Sequence, residues 1–218
     1  MLSARTPIPD GDYENTRPYE KRGWCHFELR TASIVKYRQC LWDLSLHKEG
    51  TAIDFDECWL TLKSTRPPLT SPGQMARELR EKKFTNDADI GVVASLYEQG
   101  FVRAFDTFRQ YVSSGYVYYS SLGWGTAQVP TLVAALEYAE AHCRPKDEEG
   151  KEDAQLTLVL NSNKFTAAEK AQLRAAIPEG STKFRLVLFR FTASRTRCSR
   201  TRSPTTRSRC TSRAAPTS

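Results

Sequence analysis

The 218-residue chain has no Cys-x-x-Cys pair, no apolar run near 18 residues and no apolar leader at its start. The first absence removes the usual zinc-finger spacings; the six cysteines, Cys25, Cys40, Cys58, Cys143, Cys198 and Cys210, are scattered singly. The other two argue against a membrane-spanning helix and a secretory signal. The expectation is an intracellular, cytoplasmic protein with reduced thiols and no membrane partner. A glycine-rich phosphate loop and a GxSxG elbow are also missing, so Ser120 and Ser121 have no nucleophile context despite His142 further along. The adjacent pairs Cys25–His26 and His142–Cys143 would point their side chains in different directions in any regular element, so no metal site and no cofactor are expected.

Acidic residues are absent from 194–218, where seven of the 32 basic residues lie. The remaining 193 residues hold 25 basic and 25 acidic side chains, so the net charge of +7 belongs to the tail and not to a basic face of the body. That tail is rich in Ser, Thr, Arg and Pro and poor in large apolar groups, a composition that predicts disorder. Its functional reading is an electrostatic arm for nucleic acid or an acidic partner; the bland reading is a solvated terminus. With 39% hydrophobic and 26% charged residues overall, the chain has material for one medium domain or two small ones.

Residues 1–18 are polar and broken by Pro7, Pro9, Gly11 and Pro18, which predicts a loose arm. A helix is expected from about Glu20 to Tyr37, a half-buried strand over Gln39–Leu46, and a second short strand at Cys58–Leu62. The prolines of Arg66–Thr70 (RPPLT) exclude a strand and mark a connector. Ser71-Pro72 is cap-then-proline chemistry for a helix running through Lys83. In FTNDAD, Asn86 can cap a further helix with Asp89 in its first turn. That helix should be the longest, burying Val93, Tyr97, Phe101, Phe105, Phe108 and Val112.

From Tyr116 a repeat appears. A shift of 41 positions superposes Ser121 on Ser162, Ala127 on Ala168, Leu132 on Leu173, and Trp124 on Phe165, with Val117 and Tyr119 on Leu158 and Leu160. A third strand over Lys183–Phe191 places Leu186 and Leu188 at 28 positions after Leu158 and Leu160, the charged loop Arg144–Asp153 accounting for the longer first interval. The strand leucines should face a core and the Asn163 side chain should satisfy main-chain groups at the turn. Such a unit resembles the ribonuclease-inhibitor type of leucine-rich repeat, in degenerate form; a plain βαβαβ unit gives the same periodicity. With two units and a strand, it should lean on the N-terminal half.

The segment Tyr19–Leu29, YEKRGWCHFEL, sets the carboxylate of Glu28 one helical turn after Trp24. A helix here places Trp24, Phe27, Glu28, Thr31, Ile34 and Val35 on one stripe, and a carboxylate on an apolar stripe must be partnered or functional. Arg22 and Arg30 are within reach for pairing; Trp24 and Phe27 would anchor the helix and Cys25 would fill the core. The spacing Tyr19, Trp24-Cys25, Glu28-Leu29 resembles the YxxxxWCxxEL segment of plant-type Toll/interleukin-1 receptor (TIR) domains, which are flavodoxin-like. Over residues 17–190 the chain also resembles uncharacterised proteins of unicellular eukaryotes that join an RGWCxFE box (here Arg22–Glu28), an FTNGAD-type box (here Phe84–Asp89, with Asp87 where Gly is usual) and terminal leucine-rich repeats.

The resemblances imply an α/β protein: an arm (1–18), a partial TIR-like segment with a long helix (19–112), a leucine-rich-repeat-like βαβαβ unit (113–193), and the disordered tail (194–218). The functional expectation is non-catalytic protein interaction with an unidentified protein partner, through the large, rigid faces of the repeat, in a fragment of a larger signalling-type protein. The TIR resemblance implies a second reading, NAD+ hydrolysis with Glu28 as the catalytic residue and NAD+ as substrate. A third is nucleic-acid binding through residues 194–218. The motif residues carried forward are Trp24, Cys25, Phe27, Asn86, Leu158, Leu160 and Asn163.

Overall fold

The computed structural model describes residues 2–3, 17–36, 41–43, 46–48, 66–111, 114–151 and 154–188. The expected strand at Cys58–Leu62, the position Val112 and the tail 194–218 lie outside them. Described helices are α1 (Gly23–Val35), α2 (Pro72–Arg80), α3 (Asp89–Asp106), α4 (Phe108–Tyr111), α5 (Val129–His142) and α6 (Ala167–Ala175). The strands are β1 (Leu2–Ser3), β2 (Trp42–Asp43), β3 (Tyr116–Tyr118), β4 (Leu156–Val159) and β5 (Phe184–Val187). The protein is thus mixed helix and strand, with a three-stranded parallel sheet in the order β3-β4-β5 and a separate parallel pair β1-β2. The opening arm is therefore not wholly loose, since Leu2 and Ser3 pair with Trp42 and Asp43.

Local chemistry accounts for most helix starts, with small displacements. A 3-10 turn over Tyr19–Lys21 precedes α1, which begins three positions later than expected, because Arg22 is extended and its main chain pairs with Lys83. Ser71 caps α2 by accepting from the Gln74 N–H, and Pro72 sits in its first turn; the helix ends at Arg80 and not at Lys83. The long helix α3 begins at Asp89. Asn86 makes the turn before it, its Oδ1 accepting from the Ala88 N–H at 3.1 Å, so it shapes the approach without capping the helix. Val93, Tyr97, Phe101 and Phe105 recur at every fourth position on α3 and are buried, and Phe108 follows them from α4.

The 41- and 28-residue offsets become sheet register. Val117 pairs with Leu158, and Leu158 with Leu186. Each intervening helix covers the sheet with equivalent residues, Leu132 and Leu136 from α5, Leu173 and Ile177 from α6 and just beyond it, all buried. Ser121 and Ser162, 41 positions apart, both take left-handed backbone (φ 56° and 58°), a conformation that costs a non-glycine residue about 1 kcal/mol. The chain therefore leaves β3 and β4 through the same strained turn. Asn163 closes the first of these turns from its neighbour: its Nδ2 donates to Tyr119 O (2.8 Å) and Leu160 O (3.0 Å), and its Oδ1 accepts from the N–H groups of Leu122 (3.0 Å) and Trp124 (3.3 Å). One side chain thus satisfies four main-chain groups in two successive units.

A continuous core runs from Ile34 and Met75 through α3 to Leu188, so the repeat does lean on the N-terminal helices. Phe105 packs edge-on against Phe184 (5.8 Å between centroids), and Phe101 against Tyr138 (5.5 Å). Replacement of Asn163 by alanine strands two carbonyls and two N–H groups and is expected to destabilise the protein by about 3 kcal/mol, read as a lower urea midpoint. A midpoint within error of wild type would show that water replaces the side chain without loss.

Candidate functional site

The two boxes singled out in the sequence meet in space. Gly23 N–H donates to Lys83 O and Lys83 N–H donates to Lys21 O, both at 2.9 Å, so Arg22 and Lys83 form an isolated parallel bridge. Phe84 then lies directly over the Cα of Gly23; a Cβ there would fall inside the ring. Trp24 stands edge-on to Phe27 (6.0 Å) and to Phe84 (6.4 Å), and its Nε1 donates to Asp89 Oδ2 at 3.2 Å. The anchor role expected of Trp24 is exercised at the rim, since the residue remains 42% exposed, while Phe27 is half-buried.

The expected stripe on α1 overlaps its inward face only in part: Ile34 is in the core and Phe27 packs against it, whereas Trp24 and Glu28 point to solvent. Ser33 and Ile34 are buried, but Glu28 is exposed and is paired with neither Arg22 nor Arg30. The helix instead turns His26, Arg30 and Ser33 inward, a polar stripe at positions i, i+4 and i+7. A carboxylate on α2 makes this affordable: Glu78 accepts from His26 Nε2 (2.8 Å), Arg30 Nη2 (2.8 Å) and Gln74 Nε2 (3.1 Å). Arg30 also reaches Pro68 O, and Gln74 reaches Thr131 Oγ1 on α5, so the cluster joins three helices and the connector. Burial alone would push the Glu78 carboxyl up. The His26 hydrogen bond, the charge of Arg30, and further contributions from His26 and Gln74 outweigh it and hold the group below its ordinary value. The argument that a buried carboxylate must be partnered was sound and applies to Glu78.

A cleft of ≈ 360 Å³ opens where the boxes join, walled by Arg17, Arg22, Trp24, Cys25, Lys83 and Thr85. Glu28 is not part of its wall. Cys25, expected in the core, is half-buried at this cleft; burial, followed by the nearby Glu28 charge, pushes its thiol up against the opposing effect of Arg22, so it is no activated nucleophile. No side chain caps the start of α1, and its first turn holds no acid.

The repeat residues Leu158 and Leu160 are buried in the core, and Asn163 is the turn clasp already described. The other face of the sheet is where exposed groups collect. Tyr116 and Tyr118 are 42% and 43% exposed, and their rings stack at 6.1 Å with planes 19° apart. Tyr116 is in register with Thr157, and Thr157 with the exposed Arg185, so these side chains share one row. Among the described residues no group of three His, Cys, Asp or Glu side chains could hold a metal ion. Ser120 donates its hydroxyl to Val159 O, and the His142 ring stacks on Tyr138 at 4.2 Å. No described helix is long and apolar enough to cross a membrane.

Sequence reasoning missed Glu78, Arg66 and the pair Tyr116–Tyr118. The alternation Tyr-Val-Tyr was a usable signal for the last, because Val117 had already been assigned inward by the repeat. No protein-family model, curated protein or solved structure matches the chain.

Gly23→Ala is expected to cost about 1–3 kcal/mol through displacement of the Phe84 ring, measured by chemical denaturation; an unchanged midpoint would mean that the ring moves freely. The second expectation concerns acid. Glu78 has a folded-state value below its unfolded one, so its contribution is present in full above the unfolded value and is lost as pH falls through the folded one. Glu78→Gln should therefore flatten the acid limb of the stability curve, and an acid limb identical to wild type would exclude the cluster as its source.

Proposed function

We propose that the chain is a non-catalytic protein-interaction module whose contact surface is the outer face of the β3-β4-β5 sheet, borne on a degenerate leucine-rich-repeat-like unit. The observation that carries this reading is the exposed, stacked pair Tyr116–Tyr118 in register with Thr157 and Arg185. Tyrosine offers large contact area at small entropic cost together with a polar tip, and rings stacked on each other before binding lose little freedom on being covered. Arg185 at the far side of the row gives the face a positive end. The partner it fits is a protein segment that lies over the tyrosines and brings a carboxylate to Arg185. The clasp of Asn163 and the repeated turns at Ser121 and Ser162 support the leucine-rich-repeat-like description, since they join successive units by one rule.

The placement of Glu28 lends nothing to NAD+ hydrolysis: the residue is exposed and does not contribute to the cleft beside it. A TIR-like origin for residues 19–112 remains a proposal of resemblance, resting on the spacing of Tyr19, Trp24, Cys25 and Glu28.

A photo-reactive amino acid at position 118 identifies the partner, and the purified partner then decides the matter. Joint replacement of Tyr116 and Tyr118 by alanine is expected to weaken its affinity about a hundredfold, close to 3 kcal/mol. Unchanged affinity would remove the sheet face from the interface. Consumption of NAD+ by the purified chain, abolished by Glu28→Ala, would instead establish the hydrolase.

A further inference from the structure

The solvent face of α3 has no part in the reading above. Six large hydrophobic side chains are exposed among the described residues. Tyr116 and Tyr118 belong to the sheet face, and three of the rest, Trp24, Val92 and Leu96, collect on and beside the first half of α3. Val92 and Leu96 are 58% and 43% exposed and lie one turn apart, turned away from the buried row Val93, Tyr97, Phe101 and Phe105. Gly100 continues their row at the next turn. Among the described residues, a Cβ there would meet nothing within 4 Å beyond its chain neighbours and the adjacent helix backbone, so the row ends in an open notch. Charge is divided along the same strip: Asp89 stands seven positions before Leu96, and the exposed Arg103 seven positions after it.

We propose that this face pairs with the same face of a second copy of the chain, the two α3 helices running antiparallel about a two-fold axis at Leu96. Such an axis sets each residue opposite the one equally distant on the other side of Leu96 in the other copy. Val92 then faces Gly100 of the other copy, a branched side chain over an open notch, and the contact is made twice. Arg103 faces Asp89 of the other copy, also twice, and the two helix dipoles run in opposite directions. Leu96 meets its counterpart on the axis. Trp24, whose Nε1 donates to Asp89 Oδ2 at 3.2 Å, extends the apolar strip at each end. The equal spacing of knob and notch, and of anion and cation, about one leucine is what commits this face to a copy of itself, since a single symmetry operation satisfies both.

Equilibrium sedimentation of the full chain should show a mass that moves reversibly from one chain to two as concentration rises. Leu96→Glu, at an exposed position, puts two like charges on the axis and should weaken dimerisation at least tenfold. Gly100→Leu fills the notch and should weaken it as much, with no loss of helix by circular dichroism, leucine being the better helix former. Arg174→Gln on α6 leaves the equilibrium unchanged. Arg103→Glu and Asp89→Arg should each be monomeric alone and associate when mixed, because the mixture restores opposite charges at both ends of the contact. Where Asp89→Arg does not fold, the first two variants decide. A single chain mass up to about 1 mM, where even a millimolar dimer is populated, overturns the proposal. So does a dimer that either Leu96→Glu or Gly100→Leu leaves intact, or a mixture of folded charge variants that stays monomeric.

Discussion

Arg66 is the residue on which the assembly of the two halves depends. It is 2% exposed, and its hydrogen bonds all go to main-chain carbonyls: Nε and Nη2 to Ser33 O, Nη2 to Ile34 O, and Nη1 to Tyr118 O. Ser33 and Ile34 lie in the last turn of α1, where carbonyls lack intrahelical partners and the helix dipole is negative. The guanidinium therefore terminates α1 electrostatically while it ties that helix to the end of β3. Burial pulls its proton affinity down, with Tyr119 acting against that pull, and its ring lies 4.4 Å below the guanidinium carbon. Arginine tolerates the site because it stays charged far above neutral pH and can direct several N–H groups at once.

Two aromatic side chains complete this junction from the repeat. Tyr119 donates its hydroxyl to Ile34 O at 2.5 Å, and Trp124 Nε1 donates to Arg66 O at 3.0 Å. Burial pushes the Tyr119 phenol up to about 12, which keeps it a donor at any ordinary pH. The first turn of the repeat is thus bound on one side by Asn163 and on the other by residues that reach back to α1 and the connector. A three-stranded sheet has few neighbours through which to cover its ends, and here the N-terminal helices share one continuous core with it. Apolar burial supplies most of the attraction between the halves, but the direction of approach is set by these few polar contacts, because each would leave a buried donor or acceptor orphaned if the halves shifted.

What could be read in advance was what periodicity encodes. The 28- and 41-residue offsets became register, and the fourfold spacing of Val93, Tyr97, Phe101 and Phe105 became the buried edge of α3, because both signals come from apolar residues whose only good place is inside. The inward face of α1 is only partly legible, through Phe27 and Ile34, for the converse reason. Trp24 and Glu28 fall outside it, and His26 and Arg30 turn inward because α2, far away in sequence, brings Glu78 to meet them. A polar stripe is buried only when a partner exists, and a partner on another element leaves no periodic mark. Arg66 was hidden in the same way: next to Pro67 and Pro68 it belonged to a connector, and nothing local indicates that two helix carbonyls and a strand end converge on it.

The same junction bears on how the two surfaces relate. α1 borders the cleft at its first turn and carries the carbonyl acceptors of Arg66 at its last, while β3 carries Tyr116 and Tyr118 and ends on the carbonyl that Arg66 holds. A continuous path of main chain and one side chain therefore runs from the cleft to the tyrosines, through a helix about 20 Å long. A path is not a coupling. For a change at one end to alter the other, some element between them must have two packings of similar free energy. The contacts of Arg66 argue against that, since any shift of α1 along its axis would break several buried hydrogen bonds together. Physical continuity here implies rigidity, which fixes the start of α1 and the outer face of the sheet relative to each other.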